Sequence, residues 1–355
     1  MTIAFWFSDP PKTGHGRYNG SLIDAFSDAL PIRYLSSALG SNDTYQRELR
    51  VNGPIKWKLP HRADVILNRT FQPEVAKLFF RSCADVSLIH YTSQHERPFS
   101  AKFPKQIATI HDLTALKSME SAIQDRAYGI TVSRNIKKIL KLDDIVVNSN
   151  VVKREIEEIG YNGKIHKIHL CASPTFKPAN NKLEIRKRIG LPLDKHLVMS
   201  ISSSSPRKNI IVIKKVMEYL GREFILVRVG SPLNTYGEFN YRGISEDLLA
   251  DLYAASDVLI FPSREEGFGY PMVEAMTSGI PVVASDIQIT KEILRDAGLF
   301  VESDDPCQYA ELIKFAEQNS DRLSRKCINR SKEFSFQIFR KRYEDLYSSI
   351  LESGE

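Results

Sequence analysis

The sequence predicts an α/β protein built from two Rossmann-like domains, and three observations carry the prediction. Short apolar runs rich in Val, Ile and Phe alternate with helical patterns through both halves of the chain. Strand and helix in turn is the pattern of parallel sheets covered on both faces. The chain has 355 residues, more than one ordinary domain core accommodates. The segment C-A-S-P-T-F-K-P-A-N-N-K at 171–182 breaks both periodicities with two prolines, small residues and an Asn pair, as a domain boundary does.

The elements follow in order. I-A-F-W-F at 3–7 is an uninterrupted apolar run and reads as the first strand; the glycine-bearing G-H-G-R-Y-N-G at 14–20 comes next, with a helix expected over 19–29. Strands are expected at 64–67, 86–90, 107–110 and 145–148, with a helix at 151–159. Residues 36–63 are polar, proline-containing and poorly periodic, and no element is assigned there. Beyond the boundary, strands at 197–201, 224–229, 258–261 and 282–284 alternate with helices at 208–220, 246–255, 271–278 and 307–318. A last helix over 336–351 carries Phe336, Phe339, Tyr343, Leu346 and Ile350 on one face at helical spacing, which reads as core packing. The expected domains are therefore 1–172 and 173–334, with the helix of 335–355 packing back toward the first.

Composition narrows the function classes. With 42% hydrophobic and 26% charged residues, the chain has the make-up of a folded enzyme and not of a disordered or fibrous protein. Cys83, Cys171, Cys307 and Cys327 are scattered and form no C-x-x-C pair, which points to free thiols in a reducing compartment. His166 and His169 lie three apart in an extended segment and face opposite ways, so they read as structural and not as metal ligands. No run approaches the ~20 apolar residues that span a bilayer. The N-terminus lacks the basic and apolar regions of a signal peptide, so the expected location is the cytoplasm. Charge is uneven: residues 1–172 hold 24 Lys and Arg against 17 Asp and Glu, and residues 173–355 hold 25 against 26. A basic first half suits an anionic membrane surface at the inner face or a lipid-phosphate acceptor; a merely solvated surface is the plain alternative. No nucleic-acid-binding motif accompanies the charge.

The most informative segment is S-R-E-E-G-F-G-Y-P-M-V-E-A-M-T-S-G at 263–279. A buried strand ends at Pro262, a loop with Gly267 and Gly269 follows, Pro271 suits the first turn of a helix, and Gly279 closes it. A helix that opens at the C-terminal end of a parallel strand attracts phosphate through its N–H groups and dipole. Glu266 precedes the loop and Glu274 lies in what is expected to be the first helical turn. Two carboxylates there can form a general acid/base pair or accept hydrogen bonds from the hydroxyls of a sugar and a ribose. A phosphate between them favours the second. For Glu274 alone, a carboxylate favoured by the helix dipole is an equally good account. In S-S-S-S-P-R-K-N at 202–209, Arg207 and Lys208 sit at a strand-to-helix turn on the same sheet edge, where a fork and a point charge can neutralise a diphosphate.

E-E-G-F-G-Y-P-M-V-E-A-M-T-S-G-I-P-V-V-A-S-D (265–286) resembles the signature of glycosyltransferase family 4, the retaining enzymes of the GT-B fold, with its Glu, seven residues and second Glu at Glu266 and Glu274. Other matches run in order along the chain: G-H-G-R-Y (14–18) resembles the first glycine loop, T-I-H-D-L-T (109–114) the His-Asp turn, and I-V-V-N-S-N-V-V-K-R-E-I (145–156) the segment before the linker. P-R-K-N (206–209), R-G-I-S-E-D-L-L-A-D-L-Y-A-A-S-D (242–257) and A-G-L-F-V (297–301) complete the series, and the N-terminal fragments are most similar to mannosyltransferase-type members that build surface polysaccharides or glycolipids. The resemblance implies two Rossmann-like domains facing a central cleft and transfer of a hexose from a nucleotide-diphosphate sugar to a glycan or lipid-linked acceptor. It implies retention of anomeric configuration, with no cofactor beyond the donor co-substrate. It assigns donor-sugar hydroxyls to Glu266 and the backbone of Gly267, Phe268 and Gly269, and the ribose to Glu274. Arg207 and Lys208 would hold the diphosphate, Gly16 would lie near the phosphates or acceptor, and His111 would stand against the donor sugar. No two aspartates lie two apart, so the Asp-x-Asp of metal-dependent transferases is missing and no metal is expected.

Two positions depart from the family pattern: Ser202 stands where a glycine is usual, and Cys171-Ala172-Ser173 replaces the usual Asn-Gly-Val. Serine at 202 either narrows the diphosphate pocket or adds donors to it. Three other readings compete. G-H-G-R-Y-N-G also fits a dinucleotide pattern and hence an oxidoreductase, although its first glycine lies seven residues past the first strand. A nucleotide-sugar epimerase shares the fold, and a catalytically inactive homologue could serve as a carbohydrate-binding or scaffold subunit.

Overall fold

Apolar runs that no helical period explains become the strands of two parallel sheets. The computed structural model describes residues 2–7, 13–26, 32–36, 86–96, 98, 105–117, 123–302 and 304–352. They belong to two units, Met1–His169 with Phe339–Glu355, and Leu170–Ile338. The first contains, in chain order, β1 (Thr2–Phe7), α1 (Gly14–Phe26), β2 (Ile32–Ser36), β3 (Val86–Tyr91), β4 (Lys105–Ile110), α2 (Thr114–Lys117), α3 (Ile123–Ile139), β5 (Asp144–Val147), α4 (Asn150–Glu158) and β6 (Lys164–Lys167). The second contains α5 (Lys182–Ile189), β7 (His196–Ile201), α6 (Ile210–Leu220), β8 (Phe224–Val229), β9 (Phe239–Tyr241), α7 (Glu246–Ala255), β10 (Val258–Phe261), α8 (Tyr270–Thr277), β11 (Val282–Ser285), α9 (Gln288–Leu294), β12 (Gly298–Val301), α10 (Pro306–Gln318) and α11 (Ser320–Ser331). The last helix, α12 (Phe336–Glu352), returns most of its length to the first unit.

The strand orders are β2-β1-β3-β4-β5-β6 and β12-β11-β10-β7-β8-β9, parallel throughout. The central strands are those the apolar runs predict. β2, β6, β9 and β12 are not among them, and each lies at an outer edge of its sheet. An edge strand is covered on fewer sides, so K-I-H-K and F-N-Y can serve without an apolar run. The strand expected at 64–67 and the unassigned 37–63 lie outside the described residues.

Both orders create a reversal. In the second sheet the chain starts at β7, proceeds to β8 and β9 on one side, then crosses to β10, β11 and β12 on the other. β7 and β10 are therefore neighbours whose connections leave in opposite directions, which opens a crevice at their C-terminal ends. Among the described strands of the first sheet, β1 and β3 have the same relation.

The stripe on α12 proves to be more than apolar packing. Its buried residues are Phe339, Tyr343, Leu346, Tyr347 and Ile350, so Tyr347 joins the face and Phe336 leaves it. The hydroxyl of Tyr343 bonds that of Tyr18, which bonds Thr109 Oγ1 at 2.8 Å. Thr109 Oγ1 also meets His90 Nε2 at 2.8 Å, and His90 Nδ1 meets Tyr347 Oη at 2.6 Å. Five buried polar side chains from α1, β3, β4 and α12 thereby satisfy one another, as interior polar groups must.

Burial lowers the His90 pKa to about 3. A folded-state value below the unfolded ~6.5 means that His90 contributes stability above pH 6.5, lost progressively as pH falls toward 3. At pH 5 the first unit should be about 2 kcal/mol less stable than at pH 7.5 from this residue alone. Denaturant unfolding followed through Trp6, itself buried in that unit, measures it. His90→Gln keeps a hydrogen-bonding group that does not titrate and should flatten the dependence. An equal slope in both proteins would refute the assignment.

Candidate functional site

The reversal between β7 and β10 gathers the charged residues singled out in the second half. Beyond β7 the chain passes through Ser202–Ser205 into a single 3₁₀ turn, Pro206–Lys208. Asn209 follows with φ 47°, and α6 begins only at Ile210. The helix expected from 208 is thus interrupted by a left-handed residue, a conformation asparagine adopts more readily than most side chains. Here that side chain donates from Nδ2 to Asp304 Oδ1 at 2.6 Å. The interruption turns Arg207 and Lys208 out of the helix axis and toward the neighbouring loop.

That loop runs from Pro262 to Gly269. Its Arg264 N–H donates to Arg207 O at 2.8 Å, which clips the two sheet-edge loops together. Arg207 Nη1 then donates to Glu265 O and to Glu266 Oε2, each at 3.0 Å, while Lys208 Nζ donates to Glu266 Oε1. One buried carboxylate thus bridges two cations. Charge-assisted bonds of this type are stronger than neutral ones and hold all three side chains in fixed positions. The trio retains one net positive charge, so it remains attractive to an anion.

Gly269 ends the loop at φ 91°, and a Cβ there would meet Met272 Cε at 2.5 Å and Phe261 Cζ at 3.3 Å. Both the backbone angle and the space demand glycine. α8 follows with Pro271 in its first turn, as the segment predicts. Phe268 buries its ring, edge-to-face with Tyr270 and Phe334, so only its backbone is available to a ligand. Glu274 requires a correction. α8 starts at Tyr270, which puts Glu274 in the second turn and not the first, and it is 1% exposed. A buried carboxylate one turn inside a helix is no dipole-stabilised surface residue.

His111 and Gly16 belong to the other unit, at the C-terminal edge of its sheet. Gly16 corrects the sequence reading. The glycine stretch is expected to be a loop before a helix at 19–29, but α1 already starts at Gly14, and the Gly16 N–H donates to Thr13 Oγ1 at 2.9 Å. His111 follows β4. Its Nε2 lies 2.9 Å from the carbonyl of Thr92, which requires a proton on Nε2, and Asn148 Nδ2 stands 3.4 Å from Nδ1 and 3.1 Å from the His111 carbonyl. Both ring nitrogens face protein partners, and the ring is held in one tautomer. The structure adds His15, stacked on His111 with centroids 4.5 Å apart and 4.9 Å from the ring of His95. No sequence spacing announces this trio, because it is assembled from the first turn of α1 and the segments after β3 and β4.

His166 Nε2 contacts Asp144 Oδ1 across neighbouring strands at 2.6 Å, the structural role expected of it, and Cys171, Cys307 and Cys327 are free thiols. Among the described residues, no helix is long and apolar enough to cross a membrane.

Comparison with known proteins adds to this geometry. Residues 181–334 match the family model described as Glycosyl transferases group 1, which covers the whole Arg207–Glu274 site. The O-antigen chain mannosyltransferase RfbU of Salmonella typhimurium is 26% identical over 254 residues, 66% of this chain and 66% of that protein. The serotype-specific mannosyltransferase WbdA of Escherichia coli is 38% identical over 76 residues, 21% of this chain but only 9% of its own length. The chain thus matches just under two thirds of the first relative and a small part of the second. Among solved structures, sucrose-phosphate synthase from Thermosynechococcus elongatus superposes with a TM-score of 0.79 at 19% identity, covering 99% of this chain and 100% of that one. The fold is GT-B, an α/β architecture of two parallel-stranded units.

Proposed function

We propose that this chain is a GT-B glycosyltransferase of the family 4 type, which moves a hexose from a nucleotide-diphosphate sugar to a glycan or lipid-linked acceptor with retention and without a metal. The observation that carries the reading is the Arg207–Glu266–Lys208 trio at the reversal of strand order, beside the N-terminus of α8. Two cations and a row of helix N–H groups suit a diphosphate that gains charge as it departs. Glu266 suits hydroxyl recognition better than proton abstraction, because both of its oxygens already face cations. In the transfer the bond from C1 to the phosphate oxygen breaks, and the acceptor oxygen bonds C1 on the same face. The acceptor proton passes to the leaving phosphate. His111, locked in one tautomer, would act through position and not as a base. The mannosyltransferase-like relatives make mannose the first sugar to try and a surface polysaccharide the first acceptor.

A thermal-shift screen against nucleoside diphosphates and nucleotide sugars tests this directly. A ligand at about 100 times its Kd stabilises the protein by about 2.7 kcal/mol. One nucleotide-sugar class should raise Tm by several degrees, and Lys208→Glu should abolish that rise. Stabilisation by a nicotinamide dinucleotide alone would instead favour the oxidoreductase reading. With the donor in hand, product NMR checks retention and excess EDTA checks the absence of a metal requirement.

A further inference from the structure

Arg228 is the largest charged side chain the second unit encloses completely, and no sequence motif points to it. It lies near the C-terminal end of β8, paired in register with Ser200 of β7 and Asn240 of β9. Its Nη1 donates to Ser200 Oγ and Ser202 Oγ, each at 3.1 Å, its Nη2 to Ser202 O at 2.8 Å, and its Nε to Ser231 O at 3.3 Å. All four acceptors are neutral. Glu238 is the carboxylate whose field reaches the guanidinium, but its oxygens accept from Leu233 N, Thr235 N and Asn240 Nδ2. Burial lowers the Arg228 pKa to about 10, so the group remains a cation at neutral pH.

A buried charge held by neutral acceptors alone is costly unless something else uses the charge. The acceptors identify the user. Ser202 opens the loop that carries Arg207 and Lys208, and Ser231 opens the loop after β8. Ser204 Oγ and Ser231 Oγ join the same two loops at 2.6 Å. Gly230, φ +143°, allows the approach: a Cβ there would meet Ser202 O at 2.3 Å and Arg228 Nη2 at 2.9 Å. Ser202 thereby acquires a reason. Glycine at that position would lack the hydroxyl that holds the guanidinium.

We propose that Arg228 is a positioning residue for the diphosphate: it pins the loop that carries Arg207 and Lys208 and sets a fixed positive charge beneath it, with Ser202 as its anchor. This rests on the nucleotide-sugar reading above and deepens it, because a charge placed so selects for phosphate count and not for the base or sugar.

The test compares binding of UDP, GDP and ADP with that of their monophosphates and nucleosides by calorimetry, in wild-type protein and in Arg228→Met, Arg228→Lys and Ser202→Gly. Arg228→Met should weaken diphosphate binding tenfold or more, weaken monophosphate binding less and leave nucleoside binding unchanged. Arg228→Lys should recover most of the diphosphate affinity, and Ser202→Gly should fall between the two. If Arg228→Met does not fold, the last two variants still decide. Equal losses for nucleoside and diphosphate would reduce Arg228 to a structural tie and overturn the proposal, as would a folded Arg228→Met protein with unchanged diphosphate affinity. Wild-type protein that binds none of the three diphosphates would sink the nucleotide-sugar reading itself, and this inference with it.

Discussion

Glu266→Ala is expected to lower turnover by about two orders of magnitude while the protein stays folded and its affinity for the nucleoside diphosphate holds or rises. The two halves of that result have separate causes. On the proposed reading, donor-sugar hydroxyls lose their acceptor without the carboxylate, and interactions lost at a preorganised polar site commonly cost about 10²-fold or more in rate. The same carboxylate neutralises part of the Arg207–Lys208 pair, so a diphosphate would compete with it for the cations or share them. Removing it leaves both cations to the phosphates. Steady-state kinetics and calorimetric titration with the diphosphate separate these effects. A variant whose kcat stays within a few-fold of wild type would remove Glu266 from the transfer step. Weakened diphosphate binding would show that the carboxylate orients the cations more than it competes for them.

The largest expected loss of stability lies elsewhere, at Asp257. Its Oδ1 pairs with Lys182 Nζ at 2.8 Å, and its Oδ2 with Arg186 Nη2 and the Leu197 N–H, both at 2.7 Å. Burial pushes its pKa up, but Lys182, Arg186 and the Leu197 N–H outweigh that and hold it below the usual carboxylate range. Arg186 is itself buried and otherwise donates to the carbonyls of Ala255 and Lys195. Asp257→Ala would strand that guanidinium, and breaking a buried pair from one side costs about 3–5 kcal/mol. Because the folded pKa is depressed, the Asp257 contribution is present above about pH 4 and lost as pH falls through the lowered value. Denaturant unfolding of the second unit at pH 7, followed by hydrogen exchange in 196–201, measures the cost. A loss below about 1 kcal/mol would mean that water replaces the carboxylate adequately.

Both residues show how far a single chain of letters can be read. Glu266 and its neighbours were legible because loop, helix start and helix stop fall within eighteen residues, 262–279. Backbone chemistry fixes them locally: Gly269 for a left-handed angle, Pro271 for a first turn, Gly279 for the stop. The central strands were legible for a similar reason, since burial on both faces requires an unbroken apolar run such as V-L-I-F. The edge strands carry no such requirement and were missed. The start of α1 was misplaced because two glycines suggested a loop where the helix had already begun.

The sequence by itself determined the fold class and the loop-and-helix segment from Glu266 to Gly279, because both depend on periodicity and on residues close together in the chain. Only the tertiary structure decided which distant residues meet. Tertiary packing of strands and helices brought Arg207 and Lys208 to Glu266, 58 residues away for the closest pair, and carried Tyr347 to His90 across 257. It also put Arg228 beneath Ser202 and His15 against His111. Side-chain contact at such separations is set by how strands are ordered and helices packed, and spacing along the chain carries no record of either.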